Sequence, residues 1–323
     1  RVCEVLNRVI MNAKRASAPA QLNIPRDMWT QVIDVELPAI VDFERPSGGE
    51  QAIAQAAELL SNAKNPVILN GAGVVLSQGG INASRALAER LDAPVCVGYQ
   101  HNDAFPGSHP LFAGPLGYNG SKAGMELISE ADVVLCLGTR LNPFSTLPGY
   151  GMEYWPANAK IIQVDINPDR IGLTKKVTVG IVADAAKAAN GILERLSESA
   201  GDSGRAERKA KIAEKKSRWA QQLSSMDHED DDPGTTWNQR ARADKPDWMS
   251  PRMAWRAIQS ALPTEAIISS DIGNNCAIGN AYPAFEEGRK YLAPGLFGPC
   301  GYGLPAIVGA KIGQPNVPVV GFA

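Results

Sequence analysis

The sequence predicts an α/β protein: a doubly wound parallel-sheet central domain, followed by part of a second α/β domain. Three observations carry this. Between residues 47 and 198, short β-branched apolar runs alternate with amphipathic stretches, the pattern of strands joined by crossover helices. Several of those runs end in small or polar loop residues, as strand carboxyl ends do in open α/β sheets. A fresh start signal, Ser250-Pro251, opens a further helix–strand–turn–helix series that runs to the last residue. Its proline suits a first helical turn and its serine a cap.

The elements follow in order. RVCEVLNRVIMNAKR reads as a helix, and QLNIPRD as an extended segment closed by Pro25; together they make a unit over 1–30. A connector with prolines runs through residue 46. Ser47 and Glu50 are spaced as a capping box, and Ile53, Ala56, Ala57 and Leu60 then mark one helical face. Strands are expected at 67–69, 95–97, 133–137, 161–166 and 177–179. Helices are expected at 81–91, 121–129 and 183–196. These make the central domain, 47–198. Residues 199–246 carry a basic stretch, RAERKAKIAEKKSRW, and an acidic cluster, DHEDDDPG. They read as a solvated linker with one surface helix. His228, in that cluster, has no second histidine or cysteine at ligand spacing, so no metal site is assigned. The second α/β unit occupies 247–323, with a helix at 251–262, a strand at 266–269 and a final strand at 317–321.

The chain of 323 residues is 44% hydrophobic and 20% charged, which suits a globular protein of two domains at roughly 150 residues each. Lys and Arg number 32 against 34 Asp and Glu, a net charge of −2. That balance gives no reason to expect nucleic acid or an anionic membrane as partner. The longest apolar candidate for a membrane span, AIVGAKIG, is broken by Lys311. Five cysteines are scattered without pairing motifs, which fits a reducing, cytoplasmic setting. The chain starts at Arg1 inside a helical pattern and stops after VPVVGFA, where a strand should deliver ligand loops. It is therefore expected to be an internal piece.

Two regions suit a ligand. In the central domain, Gly71-Ala72-Gly73, Gly138-Thr139-Arg140 and Asp165-Ile166-Asn167 should share one sheet edge. A dinucleotide fingerprint is incomplete there: Leu76 stands where the third glycine belongs, and Asp92 closes a helix rather than a strand. The G-x-G pair then reads as a tight strand-to-helix turn, and no flavin is expected. In the second unit, SSDIGNN puts an aspartate, a glycine and two asparagines at a strand end, where backbone N–H groups and short amides can hold phosphate oxygens. GPCGYGLPAIVGAK places Gly298, Gly301 and Gly303 before a helix. By spacing alone this is either a close-approach ligand turn or a tight turn onto the helix.

The order DIGNN, GRKYLAPG, GPCGYGLPAIVGAKIGQPNVPVVGFA resembles the diphosphate-binding domain of thiamine-diphosphate enzymes. The branch is that of the acetolactate synthases, pyruvate oxidases and sulfoacetaldehyde acetyltransferases, and the wording is most similar to the last. NPVILNGAGV, AFPGSHPLFAGPLGYNG, ADVVLCLGTRLNP and IIQVDINPDRIG are similar to that branch's central domain, and QLNIPRD to the end of its pyrimidine-binding domain. The resemblance implies thiamine diphosphate with Mg2+. Gly273, Asn274 and Asn275 would lie against the diphosphate, and Gly298, Pro299 and Cys300 against the aminopyrimidine ring. Many relatives carry a bulky aliphatic side chain at the position of Cys300. The resemblance places the magnesium ligands and the catalytic glutamate outside this sequence, so no catalytic residue is named. It implies acyl transfer from sulfoacetaldehyde to phosphate, giving acetyl phosphate and sulfite, in a homodimer or homotetramer. A decarboxylating carboligase and a non-catalytic nucleotide-binding module are the alternatives. Arg289 and Lys290 are candidates for the anionic substrates, with exposed surface charges as the other reading. Cys300 is expected to be buried beside Asn274 and Asn275, with Leu296, Phe297 and Tyr302 forming an uncovered apolar patch.

Overall fold

The computed structural model describes residues 1–36, 43–225, 251–295 and 297–322. Ser250, Leu296 and the DHEDDDPG cluster with His228 lie outside the described residues.

Helix α1 (Val2–Ala16) buries no residue. The central unit then runs α2 (Glu50–Ser61), β1 (Pro66–Asn70), α3 (Ala72–Leu76), α4 (Gly80–Leu91), β2 (Val95–Val97), β3 (Phe112–Pro115), α5 (Lys122–Ser129), β4 (Val133–Leu137), β5 (Lys160–Asp165), β6 (Val179–Val182) and α6 (Ala185–Leu193). Its six strands are ordered β3-β2-β1-β4-β5-β6, and every pairing is parallel. Order reverses between β1 and β4, so crossovers of one hand put helices on opposite faces. Accordingly α6 packs with α4 and α2, while α5 lies over β2 and β3. Strands β1 and β4 are buried at every position, as central parallel strands covered on both faces should be.

Three details differ from the sequence reading. Helix α2 is capped by Gly49 without a side-chain bond. Ser47 instead bridges Ala183 in an isolated antiparallel pair, because Gly48, with φ of 89°, turns the chain away from the helix before Glu50. Strand β3 reads FAGP, whose glycine and proline hide it from β propensity. Strand β6 falls later than residues 177–179 and alternates buried and exposed positions at the sheet edge.

Helix α7 (Arg205–Ser225) is the largest correction. Its charge reads as a solvated face, yet it docks on α5 and buries Arg208, Ile212 and Lys215. The charges are tolerated because each has partners: Lys215 pairs with Glu130, and Arg208 donates to backbone carbonyls.

The second unit comprises α8 (Pro251–Ala261), β7 (Ile267–Ser270), α9 (Asn274–Ala281), β8 (Tyr291–Leu292), α10 (Gly303–Gly313) and β9 (Val319–Phe322). Its sheet is ordered β8-β7-β9, again parallel. Trp255, Ile268, Phe285 and Tyr291 form its core.

Candidate cofactor-binding site

Strand β7 ends where its neighbours require a ligand-facing loop. Asp271, the next residue, is held in the sheet by its N–H, which donates to the Phe322 carbonyl at 2.8 Å. Its carboxylate then reaches across the sheet end. One oxygen accepts from the Ile272 N–H at 2.7 Å and the Gly301 N–H at 3.1 Å; the other accepts from the Gly303 N–H at 2.9 Å. These bonds, that from Gly303 foremost, hold the carboxyl below its usual pKa. Asp271 thus ties the 298–303 turn to the entry of α9.

Two stretches separated in sequence meet here. Gly273 caps α9 with φ 93° and ψ −148°, a region open essentially to glycine alone. A Cβ on it would point into open space, as would one on Gly301, so no side chain obstructs approach to either residue. Gly298 lies against Ile272: a Cβ there would sit 3.0 Å from Ile272 Cδ1. The structure therefore puts the turn of Gly298, Pro299 and Cys300 next to the segment leading into Gly273. Asn274 is exposed and Asn275 half-buried at the first turn of α9. Helix N-termini carry unpaired N–H groups and a partial positive charge, which favour an anion.

Cys300 is exposed, contrary to expectation. Left-handed glycines at 298 and 301 swing the turn outward, and no described residue packs over it. Phe297 is 93% exposed, as an uncovered patch requires, but Tyr302 is half-buried. Arg289 and Lys290 are engaged elsewhere. Arg289 Nε donates to the Val75 carbonyl at 3.4 Å, and Lys290 Nζ to the Glu265 carbonyl at 2.9 Å.

The three loops of the central sheet do share one edge. Gly73, Gly138 and Asp165 line a cavity of about 420 Å³ together with Arg140, Arg170 and Tyr302. The glycines answer to packing: a Cβ on Gly71 would come within 2.5 Å of Thr139 Cβ, and one on Gly73 within 2.6 Å of Gly138 Cα. They let the β1 and β4 loops cross, as a tight strand-to-helix turn demands. Burial raises the Asp165 carboxyl pKa, against the pull of the Asn167 N–H at 2.9 Å. His101, also lining the cavity, is pushed down to about 4 by burial and by Arg140, so its imidazole is neutral.

Sequence reasoning missed the loop after β2. Tyr99, Gln100, Asn102 and Asp103 are all buried against the second unit. The polar run YQHND directly after an apolar strand was the available signal.

Comparison with known proteins agrees with this geometry. Residues 53–192 match the family model "Thiamine pyrophosphate enzyme, central domain", and residues 271–323 match "Thiamine pyrophosphate enzyme, C-terminal TPP binding domain". The whole chain is 79% identical to a sulfoacetaldehyde acetyltransferase of Roseovarius nubinhibens, covering 53% of that protein. It is 74% identical to one of Rhodobacter capsulatus, covering 55%. Over 94% of its length it is 30% identical to a probable acetolactate synthase large subunit of Methanocaldococcus jannaschii, covering 49% of that protein. The chain spans about half the length of the curated relatives it matches. With one family model over the six-stranded unit and the other beginning at Asp271, the chain belongs to the thiamine pyrophosphate enzymes.

Proposed function

We propose that the full-length protein is a thiamine-diphosphate-dependent acyltransferase that converts sulfoacetaldehyde and phosphate to acetyl phosphate and sulfite. The observation that carries this is the whole-chain identity of 79% to a protein of that name, against 30% to an acetolactate synthase relative.

The residues present fit the cofactor's anionic end. Gly273 and Gly301 leave open space where side chains would stand, and two asparagine amides open α9. Gly273, Asn274 and Asn275 would lie against the diphosphate, and Gly298, Pro299 and Cys300 would face the aminopyrimidine ring. Bound there, thiamine diphosphate supplies the electron sink that the aldehyde carbon needs. The conversion needs no external oxidant: the aldehyde carbon rises to the acyl level while its neighbour loses sulfite and becomes a methyl group. Asp271 contributes by fixing the 301–303 amides, and the N-terminus of α9 by favouring the diphosphate charge. Among the described residues no three His, Cys, Asp or Glu side chains cluster as metal ligands, so no magnesium ligand is assigned.

The protein is further read as a cytoplasmic homodimer or homotetramer. Support comes from an apolar stripe on α10, where Leu304, Val308 and Ile312 are exposed; Phe297, just before it in the chain, is exposed too. All five cysteines are free thiols. No helix among the described residues is long and apolar enough to cross a membrane.

The test uses the purified full-length protein with sulfoacetaldehyde, phosphate, thiamine diphosphate and Mg2+. Sulfite and acetyl phosphate should appear in equal amounts, and only with phosphate present. Acetolactate formed from pyruvate without any sulfite release would overturn the reading.

A further inference from the structure

Helix α9 presents its two ends to different surroundings. Its first turn, at Asn274 and Asn275, faces outward, whereas Cys276 and Asn280 are buried. Those two are four residues apart and therefore share one face. What covers that face is not the second unit itself but the loop that follows β2.

The contacts are polar and specific. The Tyr99 hydroxyl lies 3.1 Å from Cys276 Sγ, and Gln100 Nε2 donates to the same sulfur at 2.8 Å. The Gln100 N–H donates to Asn280 Oδ1 at 2.7 Å, and Asn280 Nδ2 donates to the Tyr118 carbonyl at 2.9 Å. Asn102 Nδ2 donates to the carbonyls of Asn280 and Pro283 at 3.0 and 2.9 Å. Beyond this face, Gly279 lets the helix lie on Tyr291: a Cβ there would sit 2.2 Å from the tyrosine hydroxyl. Rotation or sliding of α9 would therefore break the bonds to the β2 loop or clash with Tyr291.

The loop is held under cost. Gln100 has φ of 63°, the left-handed region that a residue with a side chain enters only when its surroundings compel it. Its Oε1 is buried without a hydrogen-bond partner among the described residues. Strain and an orphaned polar atom at one residue persist where other contacts of that residue over-determine the conformation. Here those contacts are the bonds to Cys276 and Asn280. A buried cysteine ordinarily acts as a small hydrophobe; this thiol is instead the meeting point of two polar side chains from the other unit.

We infer that Cys276 is a positioning residue: its thiol, held between Tyr99 and Gln100, fixes α9 so that Gly273, Asn274 and Asn275 stand ready for the cofactor diphosphate. The central unit then sets cofactor affinity without touching the cofactor. This rests on the reading of residues 273–275 as the diphosphate site. Groups that must meet a ligand within a fraction of an ångström depend on such support.

The test compares Cys276→Val, Cys276→Ser and Tyr99→Phe in the full-length protein. Binding of thiamine diphosphate with Mg2+ is measured by calorimetry, together with kcat at saturating cofactor. Valine fills the site but leaves the hydroxyl and amide unpaired, so the Kd should rise roughly tenfold, with kcat falling by less. Serine, which keeps a donor and acceptor there, should bring the Kd to within about threefold of the parent's. Tyr99→Phe removes a single hydroxyl, should fall between the two, and decides the matter if the valine protein does not fold. A valine or phenylalanine variant with the parent's Kd overturns the positioning role, as does a serine variant as weak as valine. A parent protein that binds no thiamine diphosphate overturns the reading of residues 273–275 instead.

Discussion

Replacing Arg208 by alanine should loosen the central unit without touching the candidate site. The guanidinium has five N–H donors in a fixed fork, and all are used. Nε donates to the Asp92 carbonyl at 3.1 Å, Nη1 to those of Lys64 and Ser203 at 2.6 and 2.8 Å, and Nη2 to those of Leu91 and Gly201 at 2.8 and 2.6 Å. One residue of α7 thereby caps the end of α4 and gathers two separate turns. Arg208 is 4% exposed, so alanine would leave carbonyls short of donors, with water admitted only in part. Charge-assisted bonds contribute about 1.5–3 kcal/mol each, but desolvation of the guanidinium offsets much of that. A net loss of about 3–5 kcal/mol is expected, from buried carbonyls left unsatisfied at about 1–3 kcal/mol each. At roughly 3 °C per kcal/mol for a unit of this size, the melting temperature should fall by about 10 °C. The assay is thermal unfolding of the full-length protein followed by circular dichroism. Arg208→Lys, with three donors on a single nitrogen, should recover less than half of the loss. An alanine variant melting within about 2 °C of the parent would refute the reasoning.

Two further perturbations test the junction of the units and the site. Burial raises the Asp103 carboxyl to about 6, even though its Oδ2 accepts from the Lys290 and Tyr291 N–H groups. A folded pKa above the unfolded one means that stability falls as pH rises from about 4 to about 6 and then levels; Asp103→Asn should flatten that slope in melting curves taken across the range, and an unchanged slope would remove Asp103 as its source. Asp271→Ala should free the Gly301 and Gly303 amides and weaken cofactor binding roughly tenfold or more in a calorimetric titration. Because the folded pKa of Asp271 is lowered, the tether should hold above the usual carboxylate range and fail only as pH falls below it.

Much of the architecture was legible because it rests on periodicity. Strand β4 is an unbroken apolar run and β1 is one up to Asn70, as a buried parallel strand largely has to be. What stayed hidden was structure made by exceptions to that pattern. FAGP forms β3 because its neighbour β2 and the covering α5 supply pairing and burial that its own residues do not advertise. Helix α7 is docked by an arginine and a lysine, residues that read as solvent-facing until their carbonyl and carboxylate partners are known.

The site divides along the same line. Gly273 and the 298–303 turn are local: a glycine in a conformation closed to other residues, and a dense glycine run before a helix, can be read where they stand. Whether Cys300 is covered depends on what packs above the turn, and no property of the turn itself decides that. The Cys276 contacts are invisible in sequence for another reason. Gln100 and Cys276 are 176 positions apart, and neither alone differs from an ordinary loop glutamine or core cysteine. Their meaning arises only once one sheet edge and one helix face have been brought together. With the diphosphate at residues 273–275 as proposed, affinity for the cofactor becomes a property of the junction between units, so a substitution in the loop after β2 should act on the diphosphate end as surely as one in α9 itself.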